Sequence, residues 1–519
     1  MVDDETRRAV TSSRSLLSVN ALVLGTIGIG LLNSIAITAL FGLTRRLDAY
    51  YAAAQLPNLF MVLCIDYLGR NFLPVFTRAR KVSYETASEV ASSVVTIVAL
   101  LSAAVALVLA LASEPLFSLL LPGFEPADVE LVCRYFWIMA PALVLTALTP
   151  FYEYVWQHDE AYTRISVIRV APSCANLVAI LGAGPFIGEY ALPVGHTVGQ
   201  AVLFALLAWR VPYRYRPRIL VRPEWEKRIF TNSAIVMGSG LLVRTRGILA
   251  NYLASLIGEG AIAAMSLGYR LLEPLERTTF SGVRMILFSR LSRLAADENR
   301  REMARLYRFG LPAAFLVLAP PLWWVALESD ALVAVLFQRG AFDANMTALV
   351  ALVIMGLAAS IAFSGVNTLL SSAFYALDRV VVPALVMPLG TVVYVVCALA
   401  AYRPLGVLGL ASALSVVNVT VFGLMLYCLG RQLPDLGRLR IAGQVAAYVA
   451  LAGAALGLPA ALLEGVAWNP VAEAAATLLI GSGLYLGVLS AARDHTLFEL
   501  IDYFRRAHPR LARRAGEAT

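Results

Sequence analysis

The sequence predicts an all-α polytopic membrane protein of about fourteen transmembrane helices. Three observations carry that prediction: composition, block length, and basic residues that sort by loop. Of 519 residues, 59% are apolar and 15% charged, whereas soluble domains run roughly 45–50% and about 25%. No water-soluble interior could bury such an excess. The apolar residues fall in blocks with cores at 93–112, 141–155, 201–208, 313–325, 349–363 and 381–401. With their flanks they reach roughly 20 residues, enough for a helix to cross about 30 Å of hydrocarbon. They do not alternate polar with apolar residues as β-barrel strands do.

The elements follow in chain order. Residues 1–15 form a charged N-terminus carrying Asp3, Asp4, Glu5, Arg7, Arg8 and Arg14. The apolar run after it is too long for a signal-peptide core and has no small-residue cleavage site, so the first helix is expected to remain. Spans are predicted at 16–43, 50–76, 86–112, 129–157, 162–184, 187–210, 228–256, 259–290, 303–327, 345–376, 381–402, 405–430, 441–463 and 469–492.

Basic residues sort by the parity of the connecting loops. One set holds Arg7, Arg8 and Arg14, then Arg78, Arg80 and Lys81, then Arg210 to Arg228, Arg290 to Arg308, Arg431, Arg438, Arg440 and the C-terminal arginines from Arg493 to Arg514. The opposite loops hold Arg45, Arg46, Arg339 and Arg403. The positive-inside rule then places both termini in the cytoplasm of a bacterial inner (plasma) membrane protein. The net charge of +8 follows from this sorting, and no nucleic-acid partner is expected. After residue 492, Phe498, Leu500, Ile501, Tyr503 and Phe504 among basic residues predict an amphipathic segment lying on the membrane lipid. Cys64, Cys133, Cys174, Cys397 and Cys428 show no paired spacing and are expected to be small core hydrophobes.

The chain also repeats itself. Ser113, Glu114 and a short amphipathic piece lead to a turn with Gly123 and Phe124; Ser329, Asp330 and a similar piece lead to Gly340 and Phe342. Each is followed by an apolar helix, a polar turn (His158, Asp159 and Glu160; Asp378 and Arg379) and a proline-containing helix. The offset is near 218 residues. The expected organisation is a six-helix lobe at 16–210, a basic cytoplasmic linker at 211–227, a six-helix lobe at 228–430, two extra helices at 441–492 and a basic cytoplasmic tail at 493–519. Paired lobes of this kind suit a transporter that rocks about a central site.

A charge at mid-membrane costs roughly 2.5–3.5 kcal/mol, so such residues mark pathways or partners. In span eight, Arg270, Glu273, Arg277 and Arg284 fall within about 60° of one another on the helix wheel, with Glu276 alongside and Pro274 interrupting the ladder. This stripe is net positive, and arginine's planar fork matches phosphate oxygens. Arg244 and Arg246 in span seven, Asp66 and Arg70 at i, i+4 in span two, and Asp48 in the first outer loop complete the candidate cavity. Arg284, Arg246, Glu276 and Asn33 are its weaker members. The alternative for Asp66 with Arg70 and for Glu273 with Arg277 is a neutral pair that fixes helix packing. Thr26, Asn33, Ser34, Ser364, Asn367 and Asn418 read chiefly as helix-packing polar residues.

No GxxxxGK[ST], HExxH or GxSxG occurs, and His158, His196, His495 and His508 lie apart. A transporter is expected rather than an enzyme, with no catalytic residue, metal or cofactor.

Several segments together resemble the MviN/MurJ lipid II flippases of the multidrug/oligosaccharidyl-lipid/polysaccharide exporter superfamily. They are Phe41 and Gly42; Leu47, Asp48, Ala49, Tyr50 and Tyr51 with Leu56, Pro57, Asn58 and Leu59; Asn71 to Phe76; Tyr269 to Glu273; Leu336 to Phe342; and Ala373 to Asp378. The resemblance implies two six-helix lobes around a cationic cavity, two further helices forming a lipid-facing groove, and a role in peptidoglycan biosynthesis or polysaccharide export. The implied activity is flipping of an undecaprenyl-diphosphate-linked glycan to the periplasmic leaflet, with envelope-synthesis proteins as possible partners. Arg270 and Glu273 match the family's charged positions in span eight, and Asp48 its acidic residue after span one. Ile27, Asn33, Ser34, Met61 and Val62 stand where the family carries charges that contribute to the cavity. Two cargoes therefore stay open, lipid II and another polyprenyl-linked oligosaccharide. An exporter of a small cationic or amphiphilic compound is a further reading, in which carboxylates rather than arginines are essential. A scaffold without transport is the last, in which span-eight charges are dispensable.

Overall fold

The computed structural model describes residues 25–63, 68, 70–219, 223–273, 291, 294, 297, 299–463 and 469–507. Every regular element among them is helical. Packing divides the chain into two compact units. One runs to Leu267 and takes in Arg339–Met346; the other comprises Gly268–Gln338 and Thr347–Thr519.

The first unit contains α1 (Gly25–Phe41), α2 (Arg45–Leu63), α3 (Arg70–Val82), α4 (Tyr84–Leu111), α5 (Ser113–Leu120), α6 (Pro126–His158), α7 (Tyr162–Ile168), α8 (Ala171–Ile187), α9 (Ala191–Ala208), α10 (Pro223–Ile257) and the start of α11 (261–273). The second contains the rest of α11, α12 (Arg300–Leu327), α13 (Ser329–Phe337), most of α14 (Ala344–Ala376), α15 (Val381–Gln432), α16 (Arg438–Leu463), α17 (Pro470–Ala491) and α18 (His495–Ala507). Eight apolar runs among the described residues are long enough to cross a membrane. The 52 residues of α15 would extend about 78 Å as one straight helix, more than twice the hydrocarbon thickness. Gly406 breaks it with φ 55° and ψ −134°.

That break belongs to the repeat. Gly188, 218 residues earlier, holds φ 59° and ψ −139° between α8 and α9, a region of backbone space open in practice only to glycine. The polar turns correspond as well. Ala161 donates its N–H to the Trp156 carbonyl at 3.0 Å and Glu160 to that of Gln157 at 3.0 Å. At the same offset, Arg379 donates to Phe374 at 2.7 Å and Asp378 to Tyr375 at 3.3 Å. Both are the paired bonds that close a helix with a left-handed residue, here Glu160 at φ 57° and Asp378 at φ 56°. Upstream the register is 216: Ser113, Phe117 and Leu121 are buried, as are Ser329, Val333 and Phe337. The Ser113 and Ser329 hydroxyls each turn back to a carbonyl three residues earlier, at 2.8 and 3.1 Å. Two extra residues between Phe337 and Phe342 account for the change in offset.

Caps and packing hold the elements. Ser83 accepts from the Thr86 amide at the head of α4, Asn299 from Glu302 at the head of α12, and Asn469 from Val471 at the head of α17; such caps contribute about 1 kcal/mol each. In the first unit Phe72, Phe76 and Phe151 stack with edge contacts near 5.3 Å, and Glu153 of α6 takes a two-pronged bond from Arg169 at 2.7 and 2.8 Å. In the second, Asn367, Asn418, Ser360 and Ser415 form a hydrogen-bonded zipper between α14 and α15. Trp323 and Trp324 of α12 donate to carbonyls of Val449 and Ala474, fastening the two extra helices. Tyr448 donates to Asp494, which also caps the start of α18 through the Leu497 amide.

Two expectations need correction. The span placed at 50–76 has wider bounds: α2 starts earlier, at Arg45, and α3 continues to Val82. The cysteines are not uniformly core: Cys133 is buried, but Cys174 is exposed and Cys397 and Cys428 are intermediate, while Cys64 lies outside the described residues. In a bilayer the outer surface is itself apolar, so a small hydrophobe needs no protein cover. Leu100, Leu101, Leu107, Val108 and Leu111 on α4, all more than half exposed, follow the same logic.

Candidate functional site

The end of α1, the turn after it and the first turn of α2 touch four other connections. Leu43 donates its amide to Met346 Sδ at 3.2 Å, and Ala341 donates to the Ala39 carbonyl at 2.8 Å. The Arg45 guanidinium lies 3.5 Å from Asp128 and over the Phe124 ring at 4.8 Å. Arg46 pairs with Glu189 at 2.7 Å, and that hydrogen bond holds its guanidinium above the ordinary arginine range. The Arg45 amide donates to Glu259 at 2.7 Å. These links gather the loops after spans one, three, five, seven and nine at one end of the first unit.

Asp48 is the most completely enclosed charge there. It is fully buried, one carboxylate oxygen accepting from Gly260 and the other from Ala263, both at 2.7 Å. Those amides open α11, where orphan N–H groups and the helix dipole favour a carboxylate. The chain therefore exchanges caps: Glu259 satisfies the head of α2 and Asp48 the head of α11. Close approach reinforces the junction. A Cβ on Gly123 would lie 1.9 Å from the Ser255 carbonyl oxygen, and one on Gly340 would lie 2.3 Å from that of Ala39. Ala39 and Ser255 are themselves 216 residues apart, so the two turns meet equivalent positions of the repeat.

The other expected residues are distributed as follows. Arg270 and Glu273 stand exposed, one turn apart on α11. Arg277, Arg284 and Glu276 lie outside the described residues, as does Asp66. Arg70 opens α3. On α10, Arg244 is exposed and Arg246 intermediate. Asn33 is buried and donates to the Ser173 carbonyl at 2.7 Å, joining α1 to α8. Among the described residues no three of His, Cys, Asp and Glu converge as a metal site. Asp128, Glu189 and Glu259 escaped the sequence reading, and Arg45 entered it only as a loop charge. The signal for Glu259 was present: an acidic residue between Gly258 and Gly260, directly before a helix.

The family model described as "Lipid II flippase MurJ" matches residues 37–475. The chain belongs to the lipid II flippase MurJ family. Among its MurJ relatives, the lipid II flippase of Burkholderia cenocepacia is 25% identical over 511 residues, covering 92% of this chain and 96% of its own. A probable lipid II flippase of Synechocystis is 25% identical over 456 residues, covering 82% and 83%. A solved MurJ in its inward closed conformation superposes with TM-score 0.78 at 16% identity, over 92% of this chain and 99% of its own. An inward-facing multidrug resistance MATE transporter, itself of the MOP superfamily, gives 0.67 at 14% identity, over 82% and 98%. The MurJ membership makes this a multi-pass membrane protein, and its fold is shared with the MATE transporter. Against that background, Asn33 of this MurJ-family chain serves helix packing where the resemblance predicts a charge.

Proposed function

We propose that this chain is an inner-membrane flippase that carries an undecaprenyl-diphosphate-linked glycan precursor, lipid II or a related oligosaccharide carrier, from the cytoplasmic to the periplasmic leaflet by alternating access. The family match over residues 37–475 carries this reading. Both termini are cytoplasmic, the helices within 16–210 and 228–430 act as the rocking lobes, and 441–492 supplies a lipid-facing pair.

The substrate's diphosphate is met by Arg270, Arg277 and Arg244, with Arg70 adding charge and Glu273 and Asp66 orienting the guanidiniums. An anion of this kind is drawn to arginine forks. Its passage is driven by an ion gradient, by the membrane potential at about 2.3 kcal/mol per charge per 100 mV, or by consumption of product. Asp48, whose two oxygens already hold backbone amides, positions α11 rather than touching cargo.

Chromosomal Arg270→Ala tests this, with insertion verified by membrane immunoblot. Lipid II accumulating in the inner leaflet with loss of outer-leaflet exposure is expected for a lipid II carrier. Normal wall growth with loss of a surface polysaccharide would give the second cargo. Unchanged exposure of both would overturn the assignment of span eight as substrate site.

A further inference from the structure

We infer that a cavity between the start of α4 and segment 213–218 binds the phosphate of an anionic phospholipid headgroup. The cavity measures about 420 Å³, within the range of roughly 300–1,000 Å³ typical of ligand clefts. Two periodicities build it. Glu85, Ser88, Glu89 and Ser92 recur at helical spacing on one face of α4, and Arg214, Arg216 and Arg218 recur at every second residue of an irregular, unpaired segment and so share a side; all seven line the cavity with Tyr84.

The segment is fastened rather than loose. Ser92, buried, accepts from the Arg216 amide at 3.0 Å and donates to the Arg214 carbonyl at 3.4 Å. Tyr215 bonds Thr96 at 3.0 Å, and buried Tyr213 packs on Tyr152. Arg218 takes up Glu89 at 2.9 Å. Among the described residues, the Arg214 and Arg216 guanidiniums hold no carboxylate, and only Glu85 remains to oppose them.

Two observations point to an occupant. Ser88 lines the cavity and is 7% exposed, and its buried Oγ has no hydrogen-bond partner among the described residues; a buried hydroxyl of that kind calls for one. Tyr84, which lines the cavity, is exposed, as are Val82, Tyr215 and Ile219 within two residues of lining positions in the chain, with Arg80 over the Tyr84 ring at 4.5 Å. Apolar and aromatic groups around arginines are the signature of a surface seated in the headgroup layer, which selects a lipid phosphate over a free one.

The test is native mass spectrometry of the full-length protein released from detergent containing phosphatidylglycerol or phosphatidylcholine. One phosphatidylglycerol should be retained in preference to phosphatidylcholine. Arg214→Ala with Arg216→Ala should weaken retention roughly thirtyfold. Ser88→Ala should weaken it several-fold at an unchanged melting temperature, which separates lost binding from lost folding. Equal retention by wild type and both variants, or no preference between the lipids, would overturn the inference. Displacement by inorganic phosphate at equal concentration would also overturn it, assigning the cavity to a free anion.

Discussion

Asp48 and Glu259 lie 211 residues apart in sequence and each caps the helix next to the other: Asp48 accepts the Gly260 and Ala263 amides, and Glu259 accepts the Arg45 amide. The exchange is unequal, because Asp48 is fully buried and uses both oxygens. Asp48→Asn leaves one acceptor oxygen for two amides and is expected to cost about 1–3 kcal/mol, whereas Glu259→Gln retains its single acceptor and should cost under about 1 kcal/mol. Thermal unfolding of the purified variants in detergent would show the larger drop for Asp48→Asn; equal drops would contradict the asymmetry.

The repeat makes a second pair of predictions. Gly188→Ala and Gly406→Ala place a Cβ in a region reserved for glycine and should each destabilise by about 1–3 kcal/mol. Glu160→Gly and Asp378→Gly relieve a left-handed conformation that side chains resist, and should be neutral or stabilising by up to about 1 kcal/mol. Folded yield by size-exclusion chromatography, followed by melting curves, would read both signs.

Glu153 and Arg169 give a third. The carboxylate is nearly buried while the guanidinium is half exposed, so Arg169→Met leaves a charge without its partner. A loss approaching about 3 kcal/mol is expected, below the full range for a wholly buried pair. Arg169→Met combined with Glu153→Leu should recover most of it. A double variant as unstable as the sum of the single ones would refute the coupling.

A fourth concerns Gly123. A Cβ there meets the Ser255 carbonyl oxygen at 1.9 Å, and backbone must move to admit it. Gly123→Ala should open the junction. A cysteine placed by Ser255→Cys would then label several-fold faster with a membrane-impermeant thiol reagent than in the Gly123 parent. Unchanged labelling would show that the turn yields instead.

Much of the fold was legible because membrane burial rewrites itself in every span: length, apolar content and loop charge all repeat the same message. The repeat was legible from Ser113 and Ser329 with their glycine turns, and the backbone of Glu160 and Asp378 extends it. The site was less legible. Asp48 could be singled out as a charge, but its two amide donors come from residues more than 200 positions away. Nothing local distinguishes a carboxylate that caps a distant helix from one that faces a cavity. Span two shows the same limit in miniature, since hydropathy marks where the chain is greasy and not where a helix such as α3 runs on past it to Val82.

The segment Arg339–Met346 belongs by packing to the first unit although its sequence lies deep in the second half. Biosynthesis inherits a consequence. When the ribosome has delivered residue 267, the first unit still lacks the strip that lies along Ala39 and Leu43, and some eighty more residues must emerge before it can be seated. Early membrane insertion therefore yields an unfinished body. Two fragments divided near the basic linker should assemble only when both are made together, since neither gene half encodes that unit whole.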